Sequence, residues 1–253
     1  MESSVDGCAG RGLLWMRNCA TSFAYQEITL SRRALAEKRP FLLMSFAAAL
    51  AFYYLRFTHF PEAYLMVVKG AGVALLAVYA FVRHSSPDAR LLGWALGAAS
   101  LGDMAIKWDT RIGGLLFFLF HVLAMGVFLR NRREALTGTQ SWLVGVTLLL
   151  TPVIALLLPA DRDAAWEVGL YGLALGGMAS SAWASKFPRY RVGAGAMLFL
   201  ASDLLLFAEM GPLKDHFLPE YMVWPIYYLG MFLISTGVVQ TLRKRDPELR
   251  VVH

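Results

Sequence analysis

The chain has 253 residues, of which 57% are hydrophobic and only 17% are charged. Soluble domains contain about 45–50% apolar and about 25% charged residues, and the mean hydropathy of +0.51 also lies on the membrane side of that range. Long apolar runs separated by short basic loops exclude a soluble enzyme, a disordered chain and a fibrous protein, so we expect a polytopic membrane protein.

The N-terminal segment 1–40 is predicted to be a weakly ordered basic extension. Residues 1–31 contain no apolar stretch of the signal-peptide type. Both cysteines, Cys8 and Cys19, lie in this extension, which excludes a disulfide framework or a CxxC metal site in the membrane region.

Residues 41–241 form the predicted membrane domain, and eight apolar spans follow one another within it. They cover residues 41–57, 62–82, 91–107, 112–130, 142–158, 165–185, 193–209 and 222–241. The breaks between them contain Pro61, Pro87, Pro159, Pro188, Gly211 and Pro212. Because the connections are short, neighbouring helices should be antiparallel. The predicted fold is therefore an all-α bundle of eight transmembrane helices.

The basic residues predict the orientation of this bundle. A cytoplasmic N-terminus places most of the 24 Lys and Arg residues in cytoplasmic segments, as the positive-inside rule requires. The exceptions are Lys69 within a span and, on the opposite side, Arg56, Lys107, Arg111, Arg162 and Lys214. Both termini should then be cytoplasmic, with 242–253 as a basic tail. We explain the net charge of +6 by the placement of basic residues in cytoplasmic loops and by their contact with anionic lipids, rather than by nucleic-acid binding.

Few polar side chains fall inside the spans, where a charge costs at least about 2.5–3.5 kcal/mol. At 1.5 Å per residue, Asp103 and Asp203 lie roughly 15–18 Å from the cytoplasmic ends of spans 3 and 7. Lys69 and His121 lie roughly 10–14 Å below the outer surface. The tyrosines of this layer are Tyr171, Tyr227 and Tyr228. Because these residues share one depth, the pattern predicts a single site.

Each of these residues also has a purely structural interpretation. The two aspartates can be separate structural carboxylates, with Lys69 only neutralising one of them. His121 can be a core histidine bonded to a carbonyl, and the tyrosines can belong to the interfacial aromatic belt. Against this stands the chemistry of paired carboxylates in a low-dielectric interior, where one can hold a proton while the other is ionised. The spacing matches no metal or nucleotide motif, so we expect neither a metal nor a cofactor.

Two segments resemble conserved blocks of the YhhN/TMEM86 family of membrane proteins. The run 101–104 with Gly113, Gly114 and His121 resembles its "GD…G…F…H" block. The run 195–203 resembles its "GA-x-LF-x-x-SD" block, and Tyr227 and Tyr228 match the tyrosines of its last helix. Two positions depart from the family pattern, since Lys69 is followed by Gly70 rather than proline, and Met231 replaces a glutamine.

This resemblance, which spans about 41–241, implies an eight-helix fold and a lysoplasmalogenase-like activity. Such an enzyme hydrolyses the vinyl-ether bond of a lysophospholipid to a fatty aldehyde and a glycerophospho-base, without a metal. The resemblance implies that Asp103 and Asp203 are catalytic, whereas Lys69, His121, Tyr171, Tyr227 and Tyr228 are candidates for substrate binding. The expected partners are the lysophospholipid and membrane lipids, and the expected location is the bacterial plasma membrane.

Two other functions use the same residues. A transporter or lipid-binding protein would employ the buried charges for cargo or protons, although the sequence has no clear inverted repeat or broken helix. An intramembrane aspartyl protease would also contain a motif like the one at Leu101, Gly102 and Asp103, but the chain lacks a later Pro-Ala-Leu motif. Turnover of a lysoplasmalogen separates the three functions.

Overall fold

The structure, a computed structural model, describes residues 40–245, which form eight α-helices and one short π-helical segment. The α-helices are α1 (Pro40–Leu55), α2 (Glu62–Arg83), α3 (Pro87–Ala105), α4 (Thr110–Arg130), α5 (Gly138–Leu157), α6 (Arg162–Ala184), α7 (Ala194–Glu209) and α8 (Phe217–Arg245). The π-helical segment, Arg189–Gly193, leads directly into α7. Each of the eight predicted spans therefore corresponds to one helix.

The chain divides into two units, Met1–Leu43 and Met44–His253. Of the first unit, the structure describes only residues 40–43, which are the first turn of α1. The predicted N-terminal extension otherwise lies outside the described residues. The contacts that build the candidate site all belong to the second unit.

Within residues 40–245, five helices are long and apolar enough to cross a membrane. They are α2, α4, α5, α8 and the continuous helical stretch Arg189–Glu209, while α1 is apolar but shorter. Helices α3 and α6 contain many Gly, Ala and Ser residues, most of which are buried against their neighbours. Small residues of this kind allow close helix packing within membrane proteins. The chain is a multi-pass integral membrane protein, whereas the number of eight spans stays a prediction.

Hydrogen bonds between loops show that successive helices alternate in direction. The loop after α4 meets the loop after α6, because the Lys186 amide donates to the Asn131 carbonyl at 2.7 Å. The side chain of Asn131 donates to Asp88 at the start of α3, at 2.7 Å, and accepts from Arg245 at the end of α8, at 2.8 Å. The starts and ends of these helices thus meet at one end of the second unit.

The opposite end collects the remaining loops. The Ala160 amide, between α5 and α6, donates to the Met210 carbonyl, between α7 and α8, at 3.1 Å. Arg111 at the start of α4 lies 3.6 Å from Glu167 in α6. Arg56, just after α1, donates to the Glu220 carbonyl in α8. This antiparallel order is the one expected from short connections.

Local chemistry explains where some helices differ from the predicted spans. Helix α3 begins at Pro87 rather than 91 because the Ser86 hydroxyl accepts from the Ala89 amide and caps it, and proline is well tolerated in the first turn. Helix α8 continues to Arg245, so residues 242–245 are its last turn rather than part of a tail. Residues 246–253 lie outside the described part of the chain.

Candidate functional site

Asp103, two residues before the end of α3, is one of the two predicted catalytic carboxylates. Its side chain is 1% exposed, and two groups from other helices hold it. The Lys69 ammonium of α2 lies 3.0 Å from Oδ1, and the Tyr227 hydroxyl of α8 donates to Oδ2 at 2.7 Å. The structure thus joins three of the predicted residues, one from each of three helices, around a single buried carboxylate.

Lys69 connects this carboxylate to a more open region. Its side chain is 22% exposed, and its ammonium lies 5.5 Å from the Trp224 ring centroid and 6.0 Å from that of Phe52. Phe52 and Trp224 also contact each other edge to face, with ring centroids 4.6 Å apart. Aromatic faces attract cations, so these two rings help to position the ammonium beside Asp103.

Asp203 of α7 has a different set of partners. The Tyr171 hydroxyl of α6 donates to Oδ2 at 2.7 Å, and His121 Nε2 of α4 lies 3.7 Å from the same oxygen. His121 Nε2 is also 3.0 Å from the Tyr171 hydroxyl. Within residues 40–245, no lysine or arginine forms an ion pair with Asp203. One predicted carboxylate therefore has a permanent cation beside it, and the other has a phenol and an imidazole.

Phe199, one turn before Asp203 on α7, packs between the partners of the two carboxylates. Its ring centroid lies 5.1 Å from that of His121 and 5.3 Å from that of Tyr227. Phe199 thus contacts one partner of each carboxylate, and the single site shared by the two carboxylates stays a prediction.

Tyr228 does not join either carboxylate. Its hydroxyl lies 2.8 Å from Ser45 Oγ of α1, and Ser45 donates to the Gly72 carbonyl of α2 at 2.5 Å. The neighbouring Trp224 indole donates to the Ala49 carbonyl at 3.2 Å. In the structure, Tyr228 thus links α8 to α1 and α2 beside the Lys69 side of the site, and its predicted contact with substrate stays a prediction.

Sequence reasoning proposed no role for Ser45, Phe52, Phe199 or Trp224. Phe52 and Trp224 occupy positions near helix ends, where aromatic residues are usual in membrane proteins. Phe199 belongs to the run 195–203 that resembles the family block, but nothing in that run indicated its contact with the site residues. Ser45 alone carried a local signal, because it is the single polar side chain within residues 41–52.

The arrangement supports proton transfer and stabilisation of positive charge. The opposite charge of the Lys69 ammonium favours the ionised form of the carboxylate beside it. The other carboxyl group, Asp203, has no ammonium or guanidinium partner within the described residues, so the two carboxyl groups lie in unlike environments. Within the described residues, no group of three or more His, Cys, Asp or Glu side chains is placed to hold a metal ion.

Comparison with known proteins identifies one family. The model of the YhhN family matches residues 64–238, which is more than half of the chain and includes all seven predicted site residues. Neither a curated protein nor a solved structure matches the chain.

Proposed function

The chain belongs to the YhhN family, and on that premise we propose that it is a membrane-embedded hydrolase of lysoplasmalogen-type lysophospholipids. It cleaves the vinyl-ether bond and releases a fatty aldehyde and a glycerophospho-base. The observation that carries this proposal is the contrast between the two buried carboxylates. Asp103 is paired with the Lys69 ammonium, whereas Asp203 is hydrogen-bonded by Tyr171.

A vinyl ether is hydrolysed through slow protonation of its double bond at the carbon distant from oxygen. The resulting oxocarbenium ion is captured by water, and the hemiacetal then collapses to aldehyde and alcohol. The reaction therefore needs a carboxylic acid that holds a proton and a negative charge that stabilises the cation. A buried pair of carboxyl groups in unlike environments supplies both.

The partners of the carboxylates support a division of these roles. We give the acid role to Asp203, because no lysine or arginine within the described residues forms an ion pair with it and its Oδ2 neighbours are a phenol and an imidazole. We give the role of stabilising anion to Asp103, because the Lys69 ammonium lies 3.0 Å from it and favours its charged form. Phe199 and Tyr227, whose ring centroids lie 5.3 Å apart, make the surroundings of the two carboxylates aromatic.

Lys69 has a second role in this proposal. Its side chain is partly exposed, so the ammonium can meet the phosphate of the lysolipid as a point charge while still contacting Asp103. The hydroxyls of Tyr171, Tyr227 and Tyr228 and the imidazole of His121 are donors or acceptors for the glycerol part and for water. The substrate reaches the site from the surrounding lipid, in the plasma membrane of a bacterial cell.

The test is turnover by purified protein in detergent micelles. A 1-alkenyl lysophospholipid should yield fatty aldehyde, whereas the matched 1-alkyl lysophospholipid, which lacks the double bond, should remain intact. Asp103→Asn and Asp203→Asn should each lower the rate by about 10²–10⁴-fold, the usual contribution of acid–base catalysis. The double variant should be little slower than the poorer single one, because residues acting as a unit are not additive.

A well-folded aspartate variant with near wild-type turnover would remove that residue from the catalytic pair. Absence of aldehyde from wild-type protein that binds the alkenyl and alkyl lipids equally well would favour lipid binding or transport by the same charges.

A further inference from the structure

The side chains of His121, Tyr171 and Asp203 form a continuous hydrogen-bonded chain across α4, α6 and α7. Tyr171 donates its hydroxyl proton to Asp203 Oδ2 at 2.7 Å, and its oxygen lies 3.0 Å from His121 Nε2. Since that proton is already engaged with the carboxylate, the tyrosine oxygen must accept from the imidazole. The network therefore assigns the Nε2–H tautomer to His121.

The other ring nitrogen of His121 has no such partner. The side chain is fully buried, and Nδ1 has no hydrogen-bond partner within the described residues. With the proton on Nε2, Nδ1 carries a free lone pair and is an acceptor. An unsatisfied buried polar atom is costly, and it is rare in proteins unless a ligand or a water completes it. A hydrogen-bond donor is thus expected at Nδ1 during function.

We propose that His121 Nδ1 accepts a proton from the hydrolytic water and that His121 and Tyr171 relay a proton to Asp203, which restores the acid within each turnover. This inference rests on the proposed function, since it needs a reaction in which Asp203 loses a proton and water then attacks a cation. It gives Tyr171 and His121 a catalytic role rather than one in substrate binding alone.

The protons balance in the hydration half of the reaction. Asp203 gives the proton on Oδ1 to the alkenyl carbon, and the oxocarbenium ion forms. Water adds to that ion at the carbon bound to oxygen while one of its protons moves to His121 Nδ1. The Nε2 proton then passes to the Tyr171 oxygen, and the tyrosine proton passes to Asp203 Oδ2. The products of this half are the hemiacetal and a protonated Asp203.

The same chain runs backwards when the hemiacetal collapses. The hemiacetal hydroxyl gives its proton to Asp203 Oδ1, and the carbonyl of the aldehyde forms. The Oδ2 proton returns to Tyr171, the tyrosine proton returns to Nε2, and the Nδ1 proton goes to the departing glycerol oxygen as the carbon–oxygen bond breaks. Asp203, Tyr171 and His121 end in their starting protonation states, with one water consumed.

Tyr171→Phe tests the relay because it breaks the chain in the middle and keeps the ring that packs against His121 and Phe207. The first alkenyl group should be consumed at close to the wild-type rate, since the proposed acid needs the relay only after it has given up its first proton. Later turnovers should be slower by about 10²-fold. Rapid mixing of enzyme and 1-alkenyl lysophospholipid, with quenching and mass spectrometry of the lipid, should show a burst of one equivalent per protein.

A first turnover slowed as much as the later ones, or a variant with wild-type steady-state turnover, would overturn the relay. The first of these results would give Tyr171 a positioning role on the acid itself. A wild-type protein that forms no aldehyde would instead refute the proposed hydrolase function, so the two failures are distinguishable. Tyr79→Phe, the same change at a buried tyrosine of α2, is the matched control and should show no burst.

His121→Gln provides the second variant. Its amide nitrogen can donate to Tyr171 but has no lone pair to accept a proton, so it should reproduce the burst of Tyr171→Phe. The combined variant should be no slower than the poorer single variant, because both changes interrupt one chain. If the rate losses of the two single variants multiply in the combined variant, the relay is contradicted. If either single variant fails to fold, the burst measurement on the other still decides.

Discussion

The ion pair between Lys69 and Asp103 is unequal in its exposure. Asp103 is 1% exposed and depends on two side chains, whereas Lys69 is 22% exposed and also lies against aromatic rings. A buried charge that loses its partner is strongly destabilising, while a partly exposed one can recruit water or a lipid phosphate. The carboxylate therefore depends on the lysine more than the lysine depends on the carboxylate.

Lys69→Met should lower the free energy of unfolding by about 3 kcal/mol, the low end of the range for broken buried pairs. Asp103→Asn should cost less, because the amide still accepts from Tyr227 and Lys69 keeps its partial exposure. Thermal or denaturant unfolding in detergent, followed by intrinsic tryptophan fluorescence, measures both.

The double variant Lys69→Met with Asp103→Asn is the control for this asymmetry. It should be more stable than Lys69→Met alone, because no buried charge is left unpaired. If Asp103→Asn is instead the more destabilising of the two single changes, Asp103 does not depend on Lys69 more than Lys69 depends on Asp103.

At the scale of elements, the contact between α7 and α8 brings Phe199 and Asp203 towards Tyr227. The two helices approach closely at Gly195 and Gly230, where a Cβ atom at Gly195 would lie 2.8 Å from the Gly230 carbonyl oxygen. The obstacle is backbone, which cannot rotate away as a side chain can. The separation of the two helices, and hence the spacing of the site residues, depends on these glycines.

Gly195→Ala should therefore destabilise the protein by about 1–3 kcal/mol, as overpacking does. Gly145→Ala is the matched control, since a Cβ at Gly145 of α5 meets nothing within 4 Å. That change should be neutral or stabilise by up to about 1 kcal/mol through loss of freedom in the unfolded chain. The melting temperatures of the two variants are measured in the same detergent. Equal shifts in melting temperature would show that α7 and α8 do not approach closely at Gly195.

The helices themselves were largely predictable from the sequence, and the reason is physical. A run of apolar residues long enough for the bilayer is visible without knowing its neighbours, and proline and glycine mark its ends. The π-helical turn Arg189–Gly193 was not predicted, because its extra residue depends on tertiary packing. There, a Cβ at Gly193 would lie 2.7 Å from the Trp183 ring.

The pairing of site residues was only partly predictable. Common depth along the spans indicated that the polar residues meet, but depth does not say which helices are adjacent. The sequence could not assign Lys69 to Asp103 rather than to Asp203, or Tyr171 to Asp203. Those assignments depend on the order of helices around the bundle, which hydropathy does not encode.

At the scale of the whole second unit, positive charge is concentrated at one end. The loop after α4 and the segment after α6 meet there, and Arg133 donates to the Ser185 and Phe187 carbonyls. Burial and then the nearby Arg189 charge lower the pKa of Arg133. Acidic lipids at this end would stabilise these like charges, as the acidic lipids of a cytoplasmic leaflet do for basic segments.

This charge distribution predicts the orientation of the protein in the membrane. Reporter fusions in the loops near Arg132 and Arg189 should read as cytoplasmic, and fusions near Asp161 and Lys214 should read as external. The Arg132 and Ser185 backbones form a bridge at one end, and Ala160 bonds Met210 at the other, so the two members of each pair must report the same side. A C-terminal fusion should be cytoplasmic.

Replacing Arg130, Arg132 and Arg133 with glutamine separates charge from the other determinants of orientation. The positive-inside rule counts Lys and Arg near the ends of spans, so the variant should show a mixture of orientations at the Asp161 reporter while the Gly145→Ala control stays uniform. If the Asp161 reporter in the otherwise unchanged chain reads cytoplasmic, five crossings from a cytoplasmic N-terminus cannot lead to that loop, and the predicted topology of eight spans with a cytoplasmic N-terminus is wrong. In that case the basic end of the bundle would face outward, away from the acidic lipids of the cytoplasmic leaflet.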